Sequence, residues 1–295
     1  MVPETWKGLR EMVSHRLREA GIESFEYETW VLLEWKLGIS RADYYMGPET
    51  KVSAGQWAEI EKVLLQRERR IPLQYLMRTC SFMGYDFYVD ENVLIPRQDT
   101  EVLVERAVAL LRRNGPLQKA GKVLDLCTGS GCIGISVKLL CPEAEVTVAD
   151  ISSGALAVAR RNAENLGAEL QYVEGNLFET ITDTYDFILS NPPYIPTKVI
   201  DGLMPEVRDY EPHLALDGME DGLYFYREIC REAKNFLNPG GRLIFEIGME
   251  QGEDVKVLME MQGMEEITIE KDLAGLDRVV LGRRPVPQMK EVAHV

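Results

Sequence analysis

The sequence lacks any uninterrupted apolar run of the length that a membrane-spanning helix needs. Such a helix requires about 20 successive apolar residues, and none of the 295 residues lie in a run of that kind. The first 20 residues are mixed in charge and contain no apolar stretch typical of a secretory signal peptide. We therefore expect a soluble cytoplasmic protein without a membrane partner.

Cysteine and histidine are both scarce. The five cysteines are an odd number and include no Cys-x-x-Cys pair, and the three histidines lie far apart in the sequence. Metal sites and disulfide frameworks depend on regular spacings of these residues. The sequence therefore predicts neither a metal site nor a disulfide framework.

The chain also lacks an excess of positive charge, since its formal net charge is −15. Residues 1–78 contain 12 basic and 12 acidic residues, which leaves 21 basic and 36 acidic residues in the remainder. Binding to duplex nucleic acid depends on the neutralisation of phosphates by basic side chains. The acidic main part of the chain therefore disfavours direct nucleic-acid binding, but it is compatible with a protein substrate that has a basic surface.

Residues 1–78 are predicted to be helical throughout. Apolar residues recur there at spacings of three and four, which is typical of helices with one apolar face. Ser53 and Gln56 match a capping box at the start of one helix. We expect a small helical bundle, followed over residues 79–97 by a β-hairpin linker with strands at 82–89 and 93–95.

From residue 98 onward, strand and helix patterns alternate. The predicted strands are 123–126, 146–149, 170–173, 185–189, 242–247, 266–269 and 277–281, with helices at 102–111, 133–140, 223–237 and 252–261 and a turn at 238–241. Alternation of this kind indicates an α/β domain whose parallel sheet is covered on both faces. We assign residues 98–285 to this domain and residues 286–295 to a flexible tail.

A glycine loop follows the first strand of this domain. Gly129 and Gly131 allow a tight turn, and the helix behind them presents unpaired N–H groups to a ligand. Asp150 ends the next strand, where a carboxylate can accept hydrogen bonds from ribose hydroxyls. With Gly134, the loop also matches the dinucleotide fingerprint, so this region alone leaves an NAD-linked dehydrogenase as an alternative.

Asn191-Pro192-Pro193-Tyr194 follows the strand at 185–189. Ligands of open α/β sheets bind at the carboxyl ends of strands, and two prolines make the segment stiff and free of two backbone donors. The Asn191 carboxamide and the Pro192 carbonyl then form a group of acceptors, with the Tyr194 ring as a flat wall. Such a group suits a planar substrate that carries an NH2.

Together these features resemble the HemK/PrmC family of peptide chain release factor N5-glutamine methyltransferases. The resemblance covers most of the chain and is carried by Pro72-Leu73-Gln74-Tyr75, the run from Leu94 to Glu101, Asp125 before the glycine loop, Asn191 to Tyr194, Tyr210-Glu211-Pro212, Ala215-Leu216 and Asp221-Gly222-Leu223. It implies a Rossmann-like class I methyltransferase domain with a seven-stranded, mostly parallel sheet, joined by a β-hairpin to an N-terminal helical bundle. It also implies S-adenosylmethionine as cofactor and a release factor as substrate for a monomeric enzyme.

The resemblance further implies roles for individual residues. Asn191, Pro192 and Tyr194 are the expected catalytic residues, and Pro193 joins them in binding the substrate amide. The expected cofactor-binding residues are Cys127, Thr128, Gly129, Ser130, Gly131, Asp150, Asn176, Leu177 and Asn191.

Three positions depart from the family pattern. Cys127 stands where the family usually has a glycine, Gln98 replaces a usual proline, and Leu177 occupies a position where an aromatic residue often lies against adenine. Because the loop acts through its backbone, we expect it to tolerate Cys127. At Leu177 we expect aliphatic packing in place of aromatic stacking.

Other functions remain open at this point. Nucleic-acid adenine-N6 methyltransferases share the tetrapeptide, and a non-catalytic cofactor-binding protein would share the glycine loop. By resemblance, residues 1–78 help to dock the release factor. Arg67, Arg69, Arg70 and Arg78 are expected to form a solvated helix face, with contact to an acidic partner surface as the alternative.

Overall fold

The computed structural model describes residues 3–113 and 121–287. The helices are α1 Trp6–Glu19, α2 Phe25–Leu37, α3 Arg41–Met46, α4 Ala54–Glu68, α5 Leu73–Met77, α6 Glu101–Arg113, α7 Cys132–Leu140, α8 Ser153–Leu166, α9 Thr197–Ile200, α10 Pro205–Arg208, α11 Tyr224–Phe236 and α12 Gly252–Met261. The strands are β1 Cys80–Phe82, β2 Tyr85–Phe87, β3 Lys122–Leu126, β4 Glu145–Asp150, β5 Gln171–Glu174, β6 Tyr185–Ser190, β7 Leu237–Glu246, β8 Glu265–Lys271 and β9 Asp277–Arg283.

These residues form two units. The first comprises the chain up to Arg78 together with Met204–Tyr210, and the second comprises the other described residues. No helix within the described ranges is long and apolar enough to cross a membrane. The same ranges contain no cluster of His, Cys, Asp and Glu side chains arranged to hold a metal ion. All but two of the predicted tail residues, 286–295, lie outside the described residues.

The first unit is a helical bundle with an aliphatic core. Leu9 and Leu17 of α1 and Leu64 of α4 are fully buried, as the predicted spacing of apolar residues requires. The capping box is confirmed, since the Gln56 N–H donates to Ser53 Oγ at 3.2 Å and the Ser53 N–H donates to Gln56 Oε1 at 3.0 Å. Burial of one face of each helix therefore holds this unit together.

The expected solvated arginine face is wrong for Arg67, which is only 3% exposed. Its guanidinium lies between two carboxylates of the same unit, with Nε 2.6 Å from Glu28 Oε2 and Nη2 2.8 Å from Glu206 Oε1. Arg70 donates from Nε to the same Glu206 oxygen at 2.7 Å. A buried charge is stable only when it is paired in this way, so these arginines hold the segment around α10 in the bundle.

The second unit contains a seven-stranded sheet in the order β5-β4-β3-β6-β7-β9-β8. The first five strands are parallel, and β9 runs antiparallel to both β7 and β8. Apolar residues of α6, α7 and α8 pack on one face of the sheet, and those of α11 and α12 pack on the other. The predicted seven-stranded, mostly parallel sheet is confirmed. A short antiparallel hairpin, β1–β2, lies outside this sheet.

The predicted bounds of the hairpin strands are wrong. Residues 82–89 are not one strand, because Met83 and Gly84, with φ values of +51° and +78°, form the turn between β1 and β2. Residues 93–95 are not a strand, because the Val93 N–H donates to Asp90 O in a turn at 3.2 Å.

The predicted turn at 238–241 lies within the bounds of β7, at a register shift in its pairing with β6. These four residues have no register partner in β6, and Gly240 has a φ of +82°. The Gly240 N–H donates to Arg284 O at 3.0 Å, so a residue distant in sequence holds this segment.

Candidate active site

A cavity of about 340 Å³ lies in the second unit at the carboxyl ends of β3, β4 and β6. The registers Leu126↔Ala149 and Leu126↔Ser190 bring the residues after these strands to one edge of the sheet. The chain adds β4 and β5 on one side of β3 and then β6 and β7 on its other side. The position where the direction of strand addition changes is the usual ligand site of an open α/β sheet. Of the predicted site residues, Cys127, Thr128, Gly129, Ser130, Asp150, Asn176, Leu177, Asn191 and Pro193 line this cavity.

The glycine loop takes its shape from backbone conformations that only a few residues adopt easily. Gly129 and Gly131 have φ values of +55° and +81°, and Cys127 has +62°. A Cβ on Gly131 would lie 2.8 Å from Ile135 Cδ1 and 3.0 Å from Ala159 Cβ, so a side chain has no room there. Gly131 is not among the lining residues; it lets α7 begin directly behind the loop.

Asp125 holds this loop from within β3. The carboxyl is fully buried, and its Oδ2 accepts hydrogen bonds from the Thr128 hydroxyl and, at 2.9 Å, from the Gly134 N–H. Burial raises the pKa of Asp125 to about 7. Asp125 therefore connects the strand, the loop and the first turn of α7.

Asp150 lies at the end of β4 on the opposite side of the loop. Its Oδ2 accepts from the Gly129 N–H and its Oδ1 from the Ser152 N–H, each at 2.9 Å. Burial raises the pKa of Asp150, while these backbone hydrogen bonds lower it. The carboxylate is thus fixed beside the loop and retains lone pairs for hydroxyl donors of a ligand.

Asn176 and Leu177 form the part of the cavity wall that follows β5. The Gly175 N–H donates to Asp150 O at 3.1 Å and holds this segment against the end of β4. Leu177 has a φ of +51° and packs against the apolar cluster that includes Phe178. An aliphatic surface therefore lies where the sequence predicted aliphatic packing.

The tetrapeptide begins where β6 ends. The Ser190 hydroxyl donates to Leu126 O at 2.7 Å, which ties the strand end to β3. Asn191 Nδ2 donates to Thr100 Oγ1 at 3.5 Å, which leaves Asn191 Oδ1 as the acceptor of the carboxamide. Asn191 and Pro193 line the cavity, whereas Pro192 is buried and not among the lining residues.

Tyr194 is also absent from the cavity lining. Its hydroxyl donates to Glu246 Oε1 at 3.4 Å, and its backbone carbonyl accepts from Gln251 Nε2 at 3.1 Å. Burial, with the nearby Glu246 carboxylate, raises the pKa of Tyr194. The tyrosine is thus held at both its hydroxyl and its backbone, as a neutral side chain.

The contacts of Thr100 and Gln251 with this segment were not predicted from the sequence, and the role of Glu246 was left undecided between lining the site and holding the fold. Thr100 lies in the family motif from Leu94 to Glu101, so the motif itself was the available signal. Glu246 ends a strand of apolar residues, and a carboxylate at such a position is a signal of a site at that edge of the sheet. Gln251 follows no recognisable pattern and is identified only by its contact.

Comparisons with known proteins agree with this architecture. The Methyltransferase small domain family matches residues 100–204, and the PrmC N-terminal domain family matches residues 9–77. A release factor glutamine methyltransferase of Geobacter sulfurreducens is 43% identical over 284 residues, covering 95% of this chain and 98% of the relative. One from Caulobacter vibrioides is 40% identical over 270 residues, with coverages of 90% and 92%. A methyltransferase from Pyrococcus furiosus has a similar fold, with a TM-score of 0.51 at 16% identity, over 75% of this chain and 99% of that one.

Proposed function

Because the chain belongs to the release factor glutamine methyltransferase family, we propose that it methylates the side-chain amide nitrogen of a glutamine in a peptide chain release factor. The methyl donor is S-adenosylmethionine, and the substrate glutamine is that of the Gly-Gly-Gln motif. The observation that carries the proposal is the meeting of Asn191, Asp150 and the glycine loop around one cavity. The loop and carboxylate suit a nucleoside, and the asparagine suits an amide.

The residues around the cavity fit the proposed cofactor. Asp150, which lines the cavity beside the glycine loop, would accept hydrogen bonds from ribose hydroxyls, and Leu177 would offer an aliphatic surface to the adenine. The backbone of the loop from Cys127 to Gly131, together with Asn176, would bind the remaining polar groups of the cofactor. When bound, S-adenosylmethionine supplies a methyl group activated by its sulfonium.

Asn191 supplies the main contact with the substrate amide in this proposal. A carboxamide nitrogen is a poor nucleophile because its lone pair is delocalised into the carbonyl. Two acceptors, Asn191 Oδ1 and the Pro192 carbonyl, would hold both hydrogens of that nitrogen and fix its orientation. Orientation and exclusion of water can lower a barrier by roughly 7–11 kcal/mol in favourable cases.

Pro193 and Tyr194 complete the proposed substrate site. Pro193 lines the cavity next to Asn191. Tyr194 would cover the amide plane from a position fixed by Glu246 and Gln251. No side chain has to act as a base, since an N-methylated amide cation loses its proton readily to water.

We also propose that four segments of the chain have separate roles. The helical residues 1–78 dock the release factor, residues 79–97 form the linking hairpin, residues 98–285 carry out methyl transfer, and residues 286–295 are a flexible tail. The match of residues 9–77 to the PrmC N-terminal domain family supports this division. We expect the enzyme to act as a monomer, which sedimentation analysis can check.

A transfer experiment tests the function. The protein is incubated with S-adenosylmethionine that carries a labelled methyl group and with a release factor, the same factor with its Gly-Gly-Gln glutamine replaced by alanine, duplex DNA or RNA. Label should appear only in the unaltered release factor. Label in nucleic acid, or equal label in both release factors, would contradict the proposal.

The cofactor assignment has a separate test in Asp150→Ala. Loss of a hydrogen bond to a charged group costs about 1.5–3 kcal/mol, so the affinity for S-adenosylmethionine should fall roughly tenfold or more. Calorimetric titration measures this change. Asp183→Ala, which removes an exposed carboxylate 3.8 Å from Lys122 Nζ, is the matched control and should bind as the unaltered protein does. Equal affinities of all three proteins would refute the ribose contact.

A further inference from the structure

Glu246 is a buried carboxylate at the same edge of the sheet as the tetrapeptide. The register Ser190↔Phe245 between β6 and β7 brings the next residues, Asn191 and Glu246, to that edge. Glu246 is only 1% exposed, and its Oε1 accepts from the Tyr194 hydroxyl at 3.4 Å. A buried carboxylate destabilises the folded state unless it is paired or hydrogen-bonded. Glu246 is not among the residues that line the cavity, so its role lies in its contacts with neighbouring side chains.

Thr100 lies between Glu246 and the other end of the tetrapeptide. The threonine is 2% exposed, and its Oγ1 accepts from Asn191 Nδ2 at 3.5 Å. A hydroxyl that accepts one hydrogen bond still has its own hydrogen to donate. Glu246 Oε2 is buried and, among the described residues, has no hydrogen-bond partner in the structure. The Thr100 side chain lies close enough to this carboxyl to lower its pKa, so Oε2 is the acceptor available to the Thr100 hydrogen.

The direction of this chain of hydrogen bonds decides which atom Asn191 presents to the cavity. An ionised carboxylate only accepts, so a Thr100 hydroxyl that bonds to Glu246 donates its hydrogen to the carboxylate, and its oxygen is left to accept from Asn191 Nδ2. Asn191 Oδ1 is then left as an acceptor. If Glu246 could donate, the Thr100 hydroxyl could turn and bond Oδ1, and the carboxamide would lose its preferred orientation.

We propose that Glu246 is a positioning residue for methyl transfer, which acts through Thr100 and Tyr194 to keep Asn191 Oδ1 facing the substrate amide. The inference rests on the proposed function, since it concerns how the amide is held. Thr100 and Glu246 belong to different elements, and each fixes one part of the tetrapeptide. Neither has to touch the reacting atoms.

The burial of Glu246 makes this arrangement sensitive to pH. Burial raises the pKa of Glu246 to about 7, whereas the nearby Thr100 hydroxyl and the positive charge of Arg278 lower it. The titratable and charged groups near it are Asp99, Cys132, Tyr194, Tyr226 and Arg278. Below the pKa, the neutral carboxyl can donate to Thr100, so the turnover number should rise with pH as Glu246 ionises.

Substitutions at Thr100 test the hydrogen-bond chain. Thr100→Val keeps the shape but removes the hydroxyl, and a loosely held reacting group can lower a rate by about 100-fold. We expect kcat on the release factor to fall roughly 10- to 100-fold, with unchanged affinity for S-adenosylmethionine. Thr100→Ser, which restores the hydroxyl, should restore most of kcat. Thr147→Val removes a buried hydroxyl in β4, away from this edge, and should leave kcat unchanged.

Glu246→Gln tests the direction of the chain. The glutamine amide can donate to Thr100, so kcat should fall, and the acid side of the pH profile of kcat seen in the unaltered enzyme should be absent. A merely structural role would change stability without removing that pH dependence. Unchanged kcat in both Thr100→Val and Glu246→Gln would overturn the inference while the proposed function stands. An unaltered enzyme that methylates no release factor would overturn both.

Discussion

Two buried carboxylates hold the two sides of the cavity by different means. Asp125 accepts from Thr128 and from the Gly134 N–H, so it fixes the shape of a backbone loop. Glu246 accepts from the Tyr194 hydroxyl, so it fixes the side chains of the tetrapeptide. Burial raises the pKa of each to about 7. The glycine loop acts through its backbone, so it should tolerate changes of its side chains. The tetrapeptide acts through side chains, so it should not.

The largest effect should follow from removing Asn191, the side chain that we propose to contact the substrate amide. Asn191→Ala deletes the proposed acceptor, and the loss of one preorganised hydrogen bond in an active site typically lowers kcat by about 10²- to 10³-fold. Affinity for S-adenosylmethionine should remain measurable by calorimetry. Asn238→Ala is the control, since its amide donates to Asp186 Oδ1 at the far end of β6. Turnover of Asn191→Ala equal to that of this control would remove Asn191 from the mechanism.

The next largest effect should be a loss of stability on substitution of Asp125, the carboxylate that holds the glycine loop. Asp125→Ala leaves the Thr128 hydroxyl and the Gly134 N–H buried without their acceptor. Each such group costs roughly 1–3 kcal/mol of unfolding free energy, which urea denaturation measures. Asp125→Asn, which keeps one carbonyl acceptor, should lose less. If Asp125→Ala unfolds at the same urea concentration as the unaltered protein, the loop does not depend on Asp125.

The raised pKa values of both carboxylates predict a pH dependence of stability. In the unfolded chain, Asp125 ionises near its ordinary pKa of 3.8, but in the folded protein it stays protonated up to about pH 7. The folded state therefore binds more protons between these values, and the unfolding free energy should fall as pH rises from 3.8 to about 7. In Asp125→Asn this fall should be smaller. An equal fall in both proteins would show that Asp125 is not protonated there.

The smallest effect should come from substitution of Cys127, because the loop that contains it acts through its backbone. Cys127 has a φ of +62°, where a side chain costs about 1–2 kcal/mol. Glycine relieves this strain but loses roughly 0.5–1 kcal/mol of conformational entropy on folding. Cys127→Gly should thus gain at most about 1.5 kcal/mol of stability. At the control position Cys141, where φ is −132°, glycine should only destabilise. A large loss in Cys127→Gly would mean that the thiol itself is needed.

Much of the fold is predictable because its signals are local. Apolar residues spaced three and four apart predicted the helical bundle, and Ser53 with Gln56 predicted the start of α4. The failures concern contacts distant in sequence. Residues 238–241 are held by a hydrogen bond from Gly240 to Arg284, and Arg67 is buried because it pairs with Glu206. Neither partner can be read from nearby residues.

The same limit applies to the candidate site. The residues of the glycine loop and the tetrapeptide form continuous motifs, so the sequence alone was enough to predict them as site residues. Thr100 and Glu246 lie 91 and 52 residues from the tetrapeptide residues that they contact, Asn191 and Tyr194. Their contacts depend on the order of strands in the sheet and on the turn before α6. These contacts can therefore be recognised only once the order of the strands in the sheet is known.

The most direct test of the central claim is to locate the methyl group that the protein transfers. A release factor is incubated with the protein and S-adenosylmethionine, digested, and its peptides are sequenced by tandem mass spectrometry. We expect one added methyl group on the side-chain amide of the Gly-Gly-Gln glutamine, and none with Asn191→Ala. A methyl group on any other residue, or an unmodified glutamine with the unaltered protein, would contradict it.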